Sequence, residues 1–479
     1  MPTKEDAMAT PVSGRANNPT VAERAAVGKA ARKVSPREGH AGWSPAQRTL
    51  EPLALLEGQA TTRVPQLVPI RYGRMAASPF AYYRGAALPM AADLATYSRS
   101  GIQVQLCGDA HLSNFGGFAS PERDLVFDLN DFDETHPGPF EWDVKRLAAS
   151  LEIAARGRGF DATTNRKIVL DAVRTYRETV RRFSRQHKLD IWYAKLDERT
   201  ILAIWGSDLG KATLASLSRA ATKASSKDRL KARDKLTRLV DGELEFLSDP
   251  PLLVPIEDVF TDPEQAAILE ANLRGTLESY RRTLSSDRRA LLNTFRYVAT
   301  ARKVVGVGSV GTRCWVALLV GSDNDDPLIL QMKQAEASVL ERFTAKSKTS
   351  NHGQRVVEGQ RLMQAASDIF LGWQRVHAPD GVTRDFYVRQ LWDWKASAAV
   401  DTMDPELLGV YAGICAWTLA RAHARSGDAV TLGAYLGKTP TFERAVADFA
   451  VAYADQNEVD HQRLVDAVRD GQVVAESGI

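Results

Sequence analysis

Two short acidic stretches hold the side-chain types that phosphoryl transfer uses. Residues 108–116 read GDAHLSNFG, with Asp109, His111 and Asn114 between glycines, and residues 126–134 read VFDLNDFDE, with four carboxylates in an otherwise apolar run. Phosphoryl transfer asks little covalent chemistry of a protein. It needs a carboxylate near the attacking hydroxyl, and oxygen ligands for a magnesium ion that bridges the phosphates. Asx turns and helix caps also use Asp and Asn, so any one of these residues taken singly reads as a turn. The combination needs a scaffold to hold it.

Residues 102–106 (IQVQL) and 124–129 (DLVFDL) alternate and are β-rich, which puts both acidic stretches on or just after short strands, in loops. Before them, residues 1–45 are rich in Ala, Pro, Gly, Ser and Arg without an apolar period, and are expected to be a disordered tail. A helix is expected around residues 87–97. After the acidic stretches, EWDVKRLAASLEIAAR and NRKIVLDAVRTYRETVRRFSRQ begin a tract of amphipathic helices running to about residue 298. KASSKDRLKARDKLTRLV within it is basic, but acids are mixed in and no aromatic residues interleave to stack on bases, so it reads as a solvated helix face. From about residue 299 the character turns to strands joined through glycines. LILQMK and DFYVRQLWDW read as further strands, GQRVVEGQRLMQAAS as a helix, and the last 75 or so residues as helical again. The expected division is a tail (1–45), a helical unit carrying the acidic loops (46–298), a β-rich unit (299–400) and C-terminal helices packing back on the helical unit (401–479). The fold class is α+β.

Gly306, Gly308 and Gly311 spell G-x-G-x-x-G around Ser309. In a dinucleotide-binding fold a helix would start at the motif. Here RCWVALLVG follows, so the glycines join two strands, as in the protein-kinase glycine-rich loop that covers the phosphates of ATP. The next strand of such a unit carries a lysine, and LILQMK supplies Lys333. A helix glutamate then holds that lysine; Glu358 is the expected one, with Glu336 the alternative.

CGDAHLSN resembles the H-G-D-x-H-x-x-N catalytic loop of the aminoglycoside and choline phosphotransferase branch of the kinase-like superfamily, with Cys107 in place of the leading histidine. The resemblance implies that Asp109 is the catalytic base and Asn114 a magnesium ligand. It puts Asp131 at the metal-binding aspartate of D-F-G or D-F-D, with Asp133 assisting, and His111 as an orienting residue. Asp143 in PFEWDVKRLAAS resembles the aspartate that opens a helix and braces the catalytic loop. Over the globular chain, RYGRMAASPFAYYRGAA, GDAHLSNFG, FDLNDFDE, EGQRLMQAASD, YVRQLWDWK and LARAHARSGD together resemble the bacterial domain-of-unknown-function family numbered 2252. The acidic loops precede the glycine loop by about 200 residues, the reverse of kinase order. The resemblance therefore implies a circularly permuted, two-lobed kinase-like fold, which termini lying close together on a domain surface make feasible.

Composition narrows the partners. Lys plus Arg number 62 against 59 Asp plus Glu, so no overall field favours nucleic acid or acidic lipid. The three cysteines, Cys107, Cys314 and Cys415, have no disulfide or zinc spacing. With no signal-like start and no apolar run of about 18 residues, a soluble cytoplasmic protein is expected. Only about ten residues separate Asp133 from Asp143, too few for a peptide-binding platform, so the expected acceptor is a small molecule. The expected function is phosphotransfer from ATP with Mg2+. A non-catalytic nucleotide-binding module is the alternative. Metal-dependent hydrolysis by the carboxylates alone leaves the glycine loop and Lys333 unexplained. His423 reads as a packed or capping histidine; SPFAYYRG could line the acceptor side with Arg84 facing a phosphate or carboxylate, but reads first as a core aromatic cluster with one exposed arginine.

Overall fold

The computed structural model describes residues 19–206, 210, 219, 229–259, 262–377, 381–391, 394 and 396–478. Its strands are β1 (Gln103–Leu106), β2 (Phe115–Ala119), β3 (Leu125–Leu129), β4 (His136–Pro139), β5 (Leu196–Asp197), β6 (Thr237–Val240), β7 (Glu243–Phe246), β8 (Leu253–Pro255), β9 (Arg296–Lys303), β10 (Cys314–Val320), β11 (Pro327–Ala335), β12 (Gly372–His377), β13 (Thr383–Gln390) and β14 (Ala396–Ser397). All pairings are antiparallel, and with the many helices the class is mixed α+β.

The largest sheet has the order β12-β13-β11-β10-β9-β8. CWVALLV in β10 and PLILQMKQA in β11 are buried along their whole length, as strands covered on both faces must be. Leu328, Leu330, Met332 and Val388 pack on one side against Leu277, Tyr280, Leu284 and Leu292 from the helices Pro263–Arg281 and Ser286–Leu292 and the turn between them. On the other side Val316, Leu318 and Ile329 meet Leu236, Leu244 and Phe246. The described parts of residues 229–298, expected with the helical unit, therefore pack on this sheet or, as β8 and the start of β9, form strands of it. Their helical period was legible, but what the helices cover is a property of the assembled sheet.

The acidic loops lie on two smaller sheets. β1 pairs with β4, while β2 and β3 form a hairpin flanked by β14 and β5. Beneath them run the helices Phe140–Gly157, Ala162–Phe183, Pro405–Ser426 and Thr441–Arg469, sharing one apolar core with β1 and the loops. The end of the helix Pro405–Ser426 meets β1, where Gln105 N donates to Ser426 Oγ at 3.2 Å. Residues 321 positions apart are thereby brought together at the strand that leads into the first acidic loop.

Residues 19–45, expected in the tail, are ordered; residues 1–18 lie outside the described residues. Thr20 and Glu23 form a capping box for the helix Val21–Val34. A Cβ at Gly28 would stand 2.1 Å from the Thr431 carbonyl oxygen, so this helix approaches the helix Ala429–Leu436 through a bare backbone. Arg32 Nε donates to the Tyr435 carbonyl at 2.8 Å. An Ala- and Gly-rich helix docked by close approach and arginine-to-carbonyl bonds has little apolar period to read.

Asp128, first of the four clustered acids, is an internal tie. Both its oxygens accept from Arg421 Nη2, at 2.5 and 2.6 Å, and it also accepts from the Leu129 and Ala365 N–H groups. Each partner is 1% exposed. Removing one charge strands the other in the core, so Arg421→Ala should destabilise the protein by about 3–5 kcal/mol. Urea unfolding checks this; a loss below about 1 kcal/mol would contradict it.

Candidate functional site

The first acidic loop is built for close approach. Gly108 has φ +83°, and a Cβ there would stand 2.2 Å from the Glu134 carbonyl oxygen, so only glycine lets the two acidic segments touch. Asp143, one turn into its helix, accepts from Cys107 N at 2.8 Å and Gly108 N at 3.1 Å, and His423 Nε2 lies 3.3 Å from its Oδ2. His423 Nδ1 in turn meets the Tyr176 hydroxyl at 2.8 Å. His423 is a packed histidine that supports the brace.

Three residues further along the same helix, Arg146 donates from Nε to Asp109 Oδ1 at 2.8 Å. Its Nη2 donates to the Tyr83 carbonyl at 2.7 Å. One oxygen of Asp109 is thus anchored, and Oδ2 lies 3.6 Å from His111 Nε2. His111 Nδ1 accepts from Ser113 N at 3.2 Å, which leaves the ring proton on Nε2, facing Asp109. Asn114 Nδ2 donates to the Asp109 carbonyl at 2.7 Å, so its amide oxygen is the end left for a cation. Asn130 N donates to the Asn114 carbonyl at 2.9 Å, which sets Asn114 beside the segment leading to Asp131.

Lys333 comes to this segment from the other sheet. Register puts Cys314 and Tyr387 beside it on β10 and β13, and Arg389 beside Gln331, so period-two alternation sends all of them to one face. Lys333 Nζ forms a short ion pair with Asp133 Oδ2 and lies 3.8 Å from Asp131 Oδ2. The ammonium is 2% exposed, Asp133 26% and Asp131 32%, so the lysine is sealed behind two partly exposed carboxylates. The Tyr387 hydroxyl donates to Asp133 Oδ1 at 2.8 Å. Ser309 Oγ donates to Asp133 Oδ2 at 3.1 Å, which brings the glycine loop onto the same carboxylate.

That loop joins β9 to β10 and rests on the segment before β1. Val64 N donates to the Gly311 carbonyl at 2.8 Å, Arg63 bonds to the Val310 carbonyl and Arg74 to the Gly306 carbonyl. Gly306 and Gly311 both have positive φ, and Gly308 backs onto the Arg84 carbonyl.

Glu358 is not the partner of Lys333. It is exposed on the helix His352–Met363 and accepts from Gln354 at 2.7 Å. Glu336 accepts from Thr62 and Gln334 instead. The side chain that this helix sends inward is Arg355, whose guanidinium donates to the carbonyls of Asp133, Thr135 and Glu336. Arg84 is half-buried, contrary to the expectation that it is exposed, while Tyr82 and Tyr83 are core residues as expected. Arg146, Arg355, Tyr387 and Arg389 were not singled out from sequence. Three of them carried a signal: Arg146 stands three residues after Asp143 on a helix, and DFYVRQ places Tyr387 and Arg389 on one strand face.

Charges in the cleft are set by burial and by Lys333. Burial works against the Asp133 carboxylate, yet Lys333 beside it holds it below the usual range. Burial and the Asp133 charge raise Asp131. Burial also pushes Glu134 up to about 7. Arg389, whose Nη1 donates to the Asn130 carbonyl at 3.1 Å, adds a second cation opposite the two aspartates. Among the described residues no group of three or more His, Cys, Asp or Glu forms a metal cage, and no helix is long and apolar enough to cross a membrane.

The molecule is thus an α+β protein whose glycine hairpin and strand lysine close over two acidic loops from a distant part of the chain. Residues 63–467 match the family model described as "Uncharacterized protein conserved in bacteria (DUF2252)", and the chain belongs to that family. No curated protein and no solved structure matches it significantly.

Burial pulls the His111 imidazole down to about 3, against the attraction of Asp109. The native ring therefore stays neutral where an unfolded histidine takes a proton near pH 6.5, so its contribution to stability is complete above about pH 6.5 and is lost as pH falls towards 3. Imidazole NMR shifts of His111 should be flat from pH 8 to about 4.5. A titration centred near 6.5 in the folded protein would refute this placement.

Proposed function

We propose that the protein is an ATP- and magnesium-dependent phosphotransferase acting on a hydroxyl group of a small-molecule acceptor, on a kinase-like scaffold read in permuted chain order. The observation that carries this reading is the meeting of Lys333 with Asp131 and Asp133, 200 residues earlier in the chain for the latter. In kinases a glycine-rich hairpin, the lysine of the strand that follows it, an aspartate after a hairpin and an asparagine on a neighbouring loop surround the triphosphate. Here β9, β10, β11, the segment after β3 and the loop after β1 carry those residue types, and the contacts of Lys333 and Ser309 with Asp133 support that reading. Asp143, bonded to the backbone of the acidic loop, supports the bracing role that the resemblance gives it.

The residues suit the cofactor. Magnesium bound with nucleotide phosphates takes only one or two carboxylates from protein, and the partly exposed Asp131 and Asp133, with the Asn114 amide oxygen, are oxygen donors of that kind. Bound Mg-ATP would supply the phosphoryl group and the charge that neutralises it. Lys333 would be the residue to pair with its phosphate oxygens in place of Asp133, and the backbone of the glycine loop the part of the chain to hold them. Asp109, held by Arg146 through Oδ1, offers Oδ2 to the acceptor hydroxyl and takes its proton. His111 keeps that carboxylate oriented from a neutral ring.

The second reading is a nucleotide-binding module without turnover. Cys107 in place of a histidine and the lack of a helix glutamate on Lys333 favour it. Asp109→Asn separates the two. If Asp109 is the base, this variant keeps Mg-ATP affinity within about twofold and lowers turnover on the order of a hundredfold or more. Labelled-ATP assays on metabolite extracts measure the turnover; full activity in the variant would remove Asp109 from the mechanism. Asp131→Ala should abolish magnesium-dependent nucleotide binding in calorimetry, and an unchanged titration would refute its role as a ligand.

A further inference from the structure

The helix Pro79–Gly85 ends at the seam between the acidic loop and the glycine loop. Its Tyr83 carbonyl is bonded to the same Arg146 that anchors Asp109, and the next carbonyl, of Arg84, stands 3.3 Å from where a Cβ on Gly308 would be. The Arg84 side chain leaves the backbone between these two contacts. It takes part in no ion pair or hydrogen bond among the described residues, and its Nε is shut off from water without an acceptor. Asp109, Asp401 and Asp131 are the carboxylates whose charge reaches it, Asp109 most strongly, and Arg74 is the neighbouring cation.

The flanking segment adds to this positive charge. Arg63 bonds to the Val310 carbonyl, and Arg71 to Gln59 Oε1 and the Gly85 carbonyl; neither takes part in an ion pair among the described residues. Arg71 is 1% exposed with Nε and Nη1 unbonded. A planar guanidinium short of acceptors, beside a carboxylate it does not touch, is suited to a bidentate oxyanion.

We infer that Arg84 is the seat of an oxyanion, phosphate or carboxylate, carried by the acceptor, so that the substrate is an anionic alcohol. The acceptor part of this inference rests on the phosphotransferase reading; the seat itself does not. Arg84 stands on the Asp109 side of the cleft, where the acceptor hydroxyl lies, and an anion there fixes the distance from the substrate's charge to its reacting oxygen.

The test is calorimetric titration of the full chain with inorganic phosphate at fixed ionic strength, without nucleotide. The wild type should bind, Arg84→Gln should weaken binding on the order of tenfold, and Arg84→Lys should recover part of it, with thermal melts showing both variants folded. No binding by the wild type, or equal binding by Arg84→Gln, overturns the seat. The titration is then repeated with saturating Mg-ADP and with a magnesium-bound, non-hydrolysable ATP analogue. Phosphate binding that survives the triphosphate analogue assigns the seat to the acceptor. Competition by the triphosphate alone moves it to the transferred phosphoryl group and overturns the acceptor assignment. If neither nucleotide binds, the phosphotransferase reading falls and the acceptor assignment with it, while the seat is still decided by the first titration.

Discussion

The contact between Lys333 and Asp133 is what the cleft depends on. A buried ammonium costs several kcal/mol in lost hydration, and β11 has no acid of its own to offset it. The offset comes from a carboxylate at the end of β3, and that carboxylate is itself kept charged by the lysine and by Tyr387 and Ser309. Neither ion is tolerable there alone. The pair therefore holds the largest sheet against the acidic hairpin, and in the proposed reaction it is also the contact that a triphosphate would replace.

A second layer keeps the acidic side from shifting. Asp143 collects two backbone N–H groups of the loop, Arg146 takes the loop's aspartate, and Arg355 takes three carbonyls around Asp133. Each charged group meets backbone dipoles fixed in direction, so the loop is held while Asp109 and Asp131 keep part of their surface exposed. Arg355 fills the place where a helix glutamate was expected. A cation on that helix leaves Lys333 paired, among the described residues, with the two aspartates, so the lysine, Asp131 and Asp133 form one electrostatic unit.

Chain order matters less than this arrangement. Ser426, at the end of a C-terminal helix, touches β1, and the glycine hairpin rests on residues 63–84, so segments from both ends of the chain surround the cleft. Arginines arriving with the N-terminal segment give one wall a positive charge that overall composition, nearly balanced, does not reveal.

The amino-acid sequence by itself determined the local pieces: strands at 102–106 and 124–129, glycines joining two strands rather than opening a helix, a lysine on the strand that follows, and an aspartate at the start of a helix. These follow from period, turn chemistry and side-chain type, which act over a few residues. Tertiary structure alone decided which acid meets Lys333, that Glu358 faces solvent, that residues 229–298 cover the large sheet, and that the helix Val21–Val34 docks instead of trailing free. Such outcomes turn on desolvation and charge pairing between groups hundreds of residues apart. An exposed glutamate and a buried one look alike in sequence, because the energy that separates them belongs to the neighbours each acquires on folding.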